Sequence, residues 1–433
     1  MARPEGSGLA VGDEVDVEVT AFAHGGHGVA RHEGQVLFVR HAVPGERVTA
    51  RVTEIGSGAR FVRADAVVVH VASPDRVKPP CPWAGPGACG GCDLQHVSLG
   101  GQRALKAGVV REQMARLAGL EVDVEVEPVP GDAGGLDWRT RVEFAVDAEG
   151  RAGLRRFRSH EVVPVDHCRI AAPGVDSLRV TERSWTGPDA VDAVAPSVGE
   201  PVAVEVPGGA VPDVVERVAA TWSSADGPVS FEHDFAVSAR GFWQVHPGAA
   251  ATFLAAALEP LDVRPGERAL DLYCGVGLFA AALSERVGPT GQVVAVEADR
   301  AAVERAERDL AAAGNVALVA ARVDDAFGLP REERGRGRGR GRTRRPARSP
   351  LVPPRADVVV LDPPRTGAGA AVVRAVAAMR PRAVAYVACD PAALARDTAT
   401  LLAQGYRLKS LRAFDAFPMT HHVECVAHFV PDA

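Results

Sequence analysis

From Ala249 onward, short apolar runs such as Gln292-Val-Val-Ala-Val-Glu297 and Asp357-Val-Val-Val-Leu361 alternate with Ala-rich stretches of helical character. Continuous apolar runs of strand length suit burial on both faces, and their alternation with helices builds a parallel sheet covered on both sides. This half of the chain is therefore expected to form a doubly wound α/β domain. In such sheets ligands sit in the crevice outside the carboxyl ends of the strands. One run ends in Asp362-Pro-Pro-Arg365, and another, Ala385-Tyr-Val-Ala-Cys389, ends immediately before a helix-starting Asp390-Pro391. A third segment, Phe417-Pro-Met-Thr-His-His-Val-Glu424, leads into the final apolar run. Asp362, Cys389 and Glu424 are expected to line one crevice, with Cys389 where a nucleophile would sit.

The stretch Arg268-Ala-Leu-Asp-Leu-Tyr-Cys-Gly-Val-Gly-Leu-Phe-Ala280 is an apolar strand running into Gly275-x-Gly277 and a helix. Glycines there let the backbone approach a ligand at a helix N-terminus. About twenty residues on, Glu297 ends a second strand, as a ribose-binding carboxylate requires. The third glycine of the dinucleotide pattern is absent, which counts against a nicotinamide cofactor. The stretch resembles the first motif of class I S-adenosylmethionine methyltransferases. That resemblance implies that Glu297 accepts the ribose hydroxyls.

With 433 residues the chain exceeds one hydrophobic core. Residues 1–72 contain short alternating runs broken by Gly and Pro, the pattern of a small OB-like β-barrel. The loop His24-Gly-Gly-His-Gly-Val-Ala-Arg31 makes this region similar to a TRAM domain. Residues 73–245 hold a cysteine-rich loop, a helical stretch near 98–119 and strand-like runs such as Arg139–Val146, an α+β region; the likeness of the preceding barrel to TRAM domains, which accompany RNA-modifying enzymes, implies that this region binds RNA. Residues 246–433 form the α/β domain. Ten Arg against two Glu in residues 331–355 give a local +8, leaving −14 for the rest of a chain whose formal net charge is −6. This Arg/Gly insert is expected to be a disordered loop, able to track RNA phosphates or merely tolerated at the surface. No apolar stretch is long enough to span a bilayer and the first residues lack a signal-peptide core, so a cytoplasmic protein with no membrane partner is expected.

Taken together, Phe242-Trp-Gln-Val-His246, Asp271-Leu-Tyr-Cys-Gly-Val-Gly277, Asp362-Pro-Pro-Arg365, Tyr386-Val-Ala-Cys-Asp-Pro391 and Phe417–Glu424 resemble the RNA 5-methyluridine methyltransferase family. The resemblance covers nearly the whole chain and keeps the motif order. It implies a Rossmann-like class I methyltransferase domain, Cys389 as nucleophile, Glu424 as base, and Gln244, Tyr273, Glu297 and Asp362 as contacts to S-adenosylmethionine. The chemistry needs these residue types. Uracil C5 is a weak nucleophile until a thiolate adds at C6, and a carboxylate must later remove the C5 proton. Leu278, Asp390 and His246 depart from the family pattern, which commonly has Asn at each place. The neighbouring Asp390 is expected to oppose ionisation of the thiol.

Seven cysteines in a chain with no export signal argue for thiol or metal chemistry over disulfides. Cys274 and Cys425 read as packing residues. Cys81, Cys89 and Cys92 lie close in sequence, with Cys168 as a fourth thiol, a set that suits zinc or an iron–sulfur cluster. One Cys-x-x-Cys pair plus two single cysteines favours a [4Fe–4S] cluster, and the resemblance adds to this, because some members of the family carry one. RNA is the implied partner, ribosomal over transfer RNA, acted on by a monomer. A transfer-RNA enzyme, or an RNA-binding assembly factor that keeps the cofactor fold without turnover, is the alternative.

Overall fold

A computed structural model of the chain describes residues 8–56, 60–330 and 347–432. Five strands close a barrel first: β1 (Glu14–Ala23), β2 (His27–His32), β3 (Gln35–Arg40), β4 (Arg47–Ile55) and β5 (Val62–Val71). Their order is β1-β2-β3-β5-β4, and β4 returns to pair with β1. Alternation drives the closure. Val17, Val19, Leu37, Val39, Val48, Ala50 and Val52 fill a core of their own, while Glu14, Asp16 and Glu18 face outward.

Helix α1 (Leu99–Gln113) starts at Ser98, whose hydroxyl accepts the Gly101 N–H, and it runs into a π-turn over Met114–Ala118. The short strand β6 (Val126–Pro128) follows. An antiparallel sheet of β7 (Arg141–Val146), β8 (Ala152–Arg155), β9 (Val162–Pro164), β10 (Ala190–Val194) and β11 (Val202–Val206) takes the order β11-β10-β7-β8-β9, with helix α2 (Pro173–Ser177) beside β10. Next comes a long hairpin, β12 (Asp213–Ser224) and β13 (Gly227–Ser238). Every second residue of β12 is buried, including Glu216, which Arg141 of β7 reaches at 2.8 Å.

The C-terminal half comprises α3 (Ala249–Leu261), β14 (Arg268–Leu272), α4 (Leu278–Val287), β15 (Gln292–Glu297), α5 (Arg300–Asp309), β16 (Val316–Ala320) and α6 (Val323–Ala326). After the Arg/Gly insert come β17 (Val358–Leu361), α7 (Ala370–Ala378), β18 (Ala383–Ala388), α8 (Pro391–Ala403), β19 (Tyr406–Asp415) and β20 (Glu424–Pro431). These strands form an eight-stranded sheet, β16-β15-β14-β17-β18-β20-β19-β6. β14 to β18 are parallel, and all residues of β17 and β18 are buried, as the continuous apolar runs require. β20 inserts antiparallel between β18 and β19. The far edge is closed by β6, supplied from the region before the domain and running parallel to β19. The order reverses between β14 and β17, and a ligand crevice is expected where it does.

Residues 331–346 of the Arg/Gly insert lie outside the described residues. The expectation of a disordered loop fails for the end of the insert. Val352 is buried in the core cluster that includes Val323, Ala326 and Phe327, and Ser349 N–H donates to the Ala326 carbonyl. One valine suffices because α6 and the turn after it already present an apolar seat. Among the described residues no helix is long and apolar enough to cross a membrane.

Candidate active site

The carboxyl ends of β14, β15, β17 and β18 deliver Tyr273, Glu297, Asp362 and Cys389 to one edge of the sheet. β20 runs the other way, with Cys425 opposite Ala388, so its first residue, Glu424, arrives beside Cys389. Gln244 reaches the same place from the segment after β13. All six line a single cavity of about 1470 Å³.

The glycine loop is shaped by backbone conformation. Tyr273, Gly275 and Gly277 have φ of 66°, 55° and 93°. A left-handed tyrosine is costly and persists only where its surroundings hold it. Here the Val296 carbonyl accepts the N–H groups of both Tyr273 and Cys274, which turns the chain sharply off β14. At Gly275 an added Cβ would meet nothing within 4 Å, so the backbone lies open towards the cavity. Glu297 braces this turn, accepting Gly275 N–H at 3.0 Å on one oxygen and the N–H groups of Ala298 and Asp299 on the other. Asp271 is fully buried. One of its oxygens accepts Ala280 N–H at 2.8 Å and the other has no partner, and burial, reinforced by Asp362 and Glu297, pushes its carboxyl up to about 8. An open glycine turn and a braced acidic strand end, both lining the cavity, fit a nucleoside-bearing ligand.

Three acidic groups crowd the other end of the cavity. Burial raises Asp362 to about 7. It raises the Cys389 thiol to about 12, with Glu424 and Asp362 adding to the effect and Arg365 opposing it. Glu424 is held well above the ordinary carboxylate range by burial and by Asp362, again against Arg365. Like charges this close cannot all ionise, so each of the three opposes ionisation of the others. A thiol and a carboxyl thus meet on adjacent strands, a pair that could supply a nucleophile and a base once ionised.

Arg365 was given no role on sequence grounds, although its motif was singled out. It is the cation that favours the charged forms of both Cys389 and Glu424, and its Nη2 lies 3.3 Å from His422 Nε2. Asp93 also escaped notice, because it belongs to the cysteine-rich loop. It lines the cavity and bonds His421 Nδ1 at 2.6 Å. His421 is thus a tie between loops, and burial drives His422 down to about 3, leaving it neutral. His246 stacks on Trp138, and its Nδ1 accepts the Gly248 N–H at the start of α3. Leu278 is buried in the core. Cys274 and Cys425 are buried in apolar clusters.

The cysteine-rich loop adjoins this cavity through Gly90, Gly91 and Asp93. Asp93 and Leu94 donate their N–H groups to the Met419 carbonyl, clamping the loop to the segment that leads to Glu424. All seven cysteines are free thiols. Cys81 acts electrostatically on Cys89, and Cys89 on both Cys92 and Cys168, so the four share one neighbourhood. Trp83 Nε1 donates to Asp166 at 3.0 Å, joining the segments that carry Cys81 and Cys168. Gly91 N–H points at Cys89 Sγ and Gln95 Nε2 at Cys92 Sγ, donors that suit thiolate ligands. Among the described residues no three His, Cys, Asp or Glu are drawn together as a single bound ion requires.

A family model described as tRNA (Uracil-5-)-methyltransferase matches residues 235–430, and a TRAM domain model matches residues 9–67. An RNA methyltransferase of Streptomyces avermitilis is 48% identical over 98% of this chain and 99% of its own length. The 23S rRNA (uracil(1939)-C(5))-methyltransferase RlmD of Pseudomonas aeruginosa is 32% identical over 98% of this chain and 96% of its own. Among solved structures, the Pyrococcus abyssi tRNA (uracil-54, C5)-methyltransferase bound to S-adenosyl-L-homocysteine superposes with a TM-score of 0.61. It shares 21% identity and covers 96% of this chain and 99% of that one, a likeness of fold.

Proposed function

The chain belongs to the RNA uracil-C5 methyltransferase family, and on that premise we propose that it methylates C5 of a uridine in 23S rRNA through a covalent bond between Cys389 Sγ and C6. Thiolate addition at C6 turns the ring into an enolate, and C5 then attacks the methyl carbon of S-adenosylmethionine, whose sulfonium leaves as a neutral thioether. Glu424 takes the hydrogen left on C5, and the electrons of that C–H bond expel the thiolate from C6. The uridine must leave any base stack to reach these groups. Gln244, Tyr273, Glu297 and Asp362 would hold the cofactor, whose sulfonium would supply the methyl group and a positive charge that favours the ionised forms of Cys389 and Glu424. Arg365 acts in the same sense.

The observation that carries this reading is the placement of Cys389 and Glu424 on paired strands at one end of the cavity whose other end is the glycine turn. The preference for ribosomal RNA rests on the full-length likeness to the RlmD protein. Cys81, Cys89, Cys92 and Cys168 would hold a [4Fe–4S] cluster, with zinc as the alternative, keeping the RNA-gripping region in shape. A monomer acting in the cytoplasm completes the proposal.

The test is tritium release from RNA labelled at uridine C5, with S-adenosylmethionine, beside Cys389→Ala. Release by the wild type alone on 23S rRNA supports the reading, and release only on transfer RNA reassigns the substrate. Methyl incorporation without release would mean another target atom. Silence in both channels would favour a non-catalytic RNA-binding assembly factor.

A further inference from the structure

The turn between β1 and β2 carries the barrel onto the rim of the active site. His24 Nε2 lies 3.1 Å from Asp390 Oδ2, and Asp390 is the residue after Cys389. Two residues further, Gly26 lies against His421. A Cβ at Gly26 would come within 2.8 Å of His421 Cβ, and its φ of +84° is one that a larger residue rarely adopts. One turn of the barrel therefore touches both loops that carry the reacting groups.

Asp390 has a structural duty of its own: its Oδ1 accepts the Ala393 N–H at 2.7 Å and caps α8. An asparagine would cap equally well without a charge. A carboxylate next to a nucleophilic cysteine opposes thiolate formation, as any like charge does. In this structure both of its oxygens are engaged, Oδ1 by the cap and Oδ2 by His24. Burial opposes ionisation of Asp390, yet the His24 and Ala393 hydrogen bonds hold its carboxyl below the ordinary value, and Arg396 adds to them. Asp390 raises the Cys389 thiol in the same sense as burial, Glu424 and Asp362, and Arg365 opposes them.

We propose that His24 is a positioning residue for Cys389: it hydrogen-bonds the Asp390 carboxylate and draws it onto the barrel, so that the nucleophile is not flanked by a free anion. The barrel then contributes to the chemistry as well as to RNA contact. The inference rests on the reading of Cys389 as the nucleophile.

His24→Ala, Asp390→Asn and the double substitution, made in the full chain, test this with three readouts. These are kcat and KM on RNA, the pH dependence of Cys389 alkylation by iodoacetamide followed by peptide mass, and thermal unfolding. His24→Ala is expected to slow both turnover and neutral-pH alkylation about tenfold, as tenfold less thiolate would. Its alkylation profile moves to higher pH, while KM for RNA and the melting temperature stay put. In the Asp390→Asn background, His24→Ala is expected to have no further effect on either rate. A loss that persists in that background, a change confined to KM, or unchanged alkylation would overturn the proposal. Alkylation is read without RNA or cofactor. A wild type that transfers no methyl group, with a His24→Ala variant that is still slower to alkylate, would sink the functional reading and leave the His24 link standing.

Discussion

Lys106 Nζ, on α1, lies 2.5 Å from Asp415 Oδ1 at the end of β19, and neither side chain reaches solvent. The same ammonium donates to the Phe417 carbonyl at 3.0 Å, so one buried cation from the cysteine-bearing region holds the start of the segment that leads to Glu424. Gln102, one turn earlier on α1, accepts the Met419 N–H at 2.8 Å and continues the hold. Removing one partner of a buried pair leaves an uncompensated charge, which costs about 3–5 kcal/mol. Lys106→Met is expected to lower stability by about that amount in urea unfolding, and Lys106→Met with Asp415→Leu by less.

Glu424→Gln should separate the two halves of the reaction. With Cys389 intact the covalent adduct can form, but the C5 proton has no acceptor, and general-base loss costs about 10²–10⁴ in turnover. RNA is expected to stay attached to the variant on a denaturing gel and to be absent from Cys389→Ala. A Glu424→Gln enzyme that turns over normally would remove Glu424 from the mechanism.

The rate should climb with pH. Burial raises Cys389 to about 12 and Glu424 well above its usual range, so both required ionised forms are scarce near neutrality. kcat/KM is expected to increase from about pH 6 to about pH 9. Arg365→Gln removes the cation that favours both ionised forms and is expected to push the profile further alkaline, which a pH–rate series on both proteins would read.

Asp271 links stability to pH in the opposite sense. Its carboxyl keeps a proton up to about 8 when folded but loses it near the ordinary 3.8 when unfolded. Across that window the folded state binds the extra proton, so this contribution to stability is full below the unfolded value and is lost as pH rises through the folded one. Asp271→Asn carries no charge and keeps an acceptor for the Ala280 N–H. It is expected to lose less stability than the wild type between about pH 5 and about pH 8 in urea titrations.

The four-thiol set predicts bound metal. Anaerobically purified protein is expected to contain iron and acid-labile sulfide, and Cys168→Ala to lose both. Zinc without sulfide would select the other ligand class that four thiolates suit.

Much of the α/β sheet was legible because its strands are continuous apolar runs with polar ends. That is why Asp362 and Cys389 could be placed in one crevice from their strand ends, whereas Tyr273 was marked only by the likeness of its motif to a known family. Glu424 was legible as the polar start of a strand, but its pairing with Cys389 depends on β20 inserting antiparallel, and composition does not encode that direction. β6 has three residues, too few for any period to emerge. The His24–Asp390 and Asp93–His421 contacts join residues remote in the chain, and no local pattern marks either partner. The packing of Val352 was not legible for a related reason: whether one valine packs depends on the seat that α6 offers.

Arg412 of β19 grips Glu127 of β6 with two hydrogen bonds, at 2.9 and 2.7 Å, across 285 residues of sequence. On the ribosome, β6 emerges long before the strand it must join. Until β19 and β20 arrive, the sheet lacks its last strands, and a fragment beginning after β6 would leave β19 as a bare edge open to pairing with other chains. The catalytic half is therefore finished by a residue stretch made before any of it, and a cut between these regions would separate the sheet from its last strand.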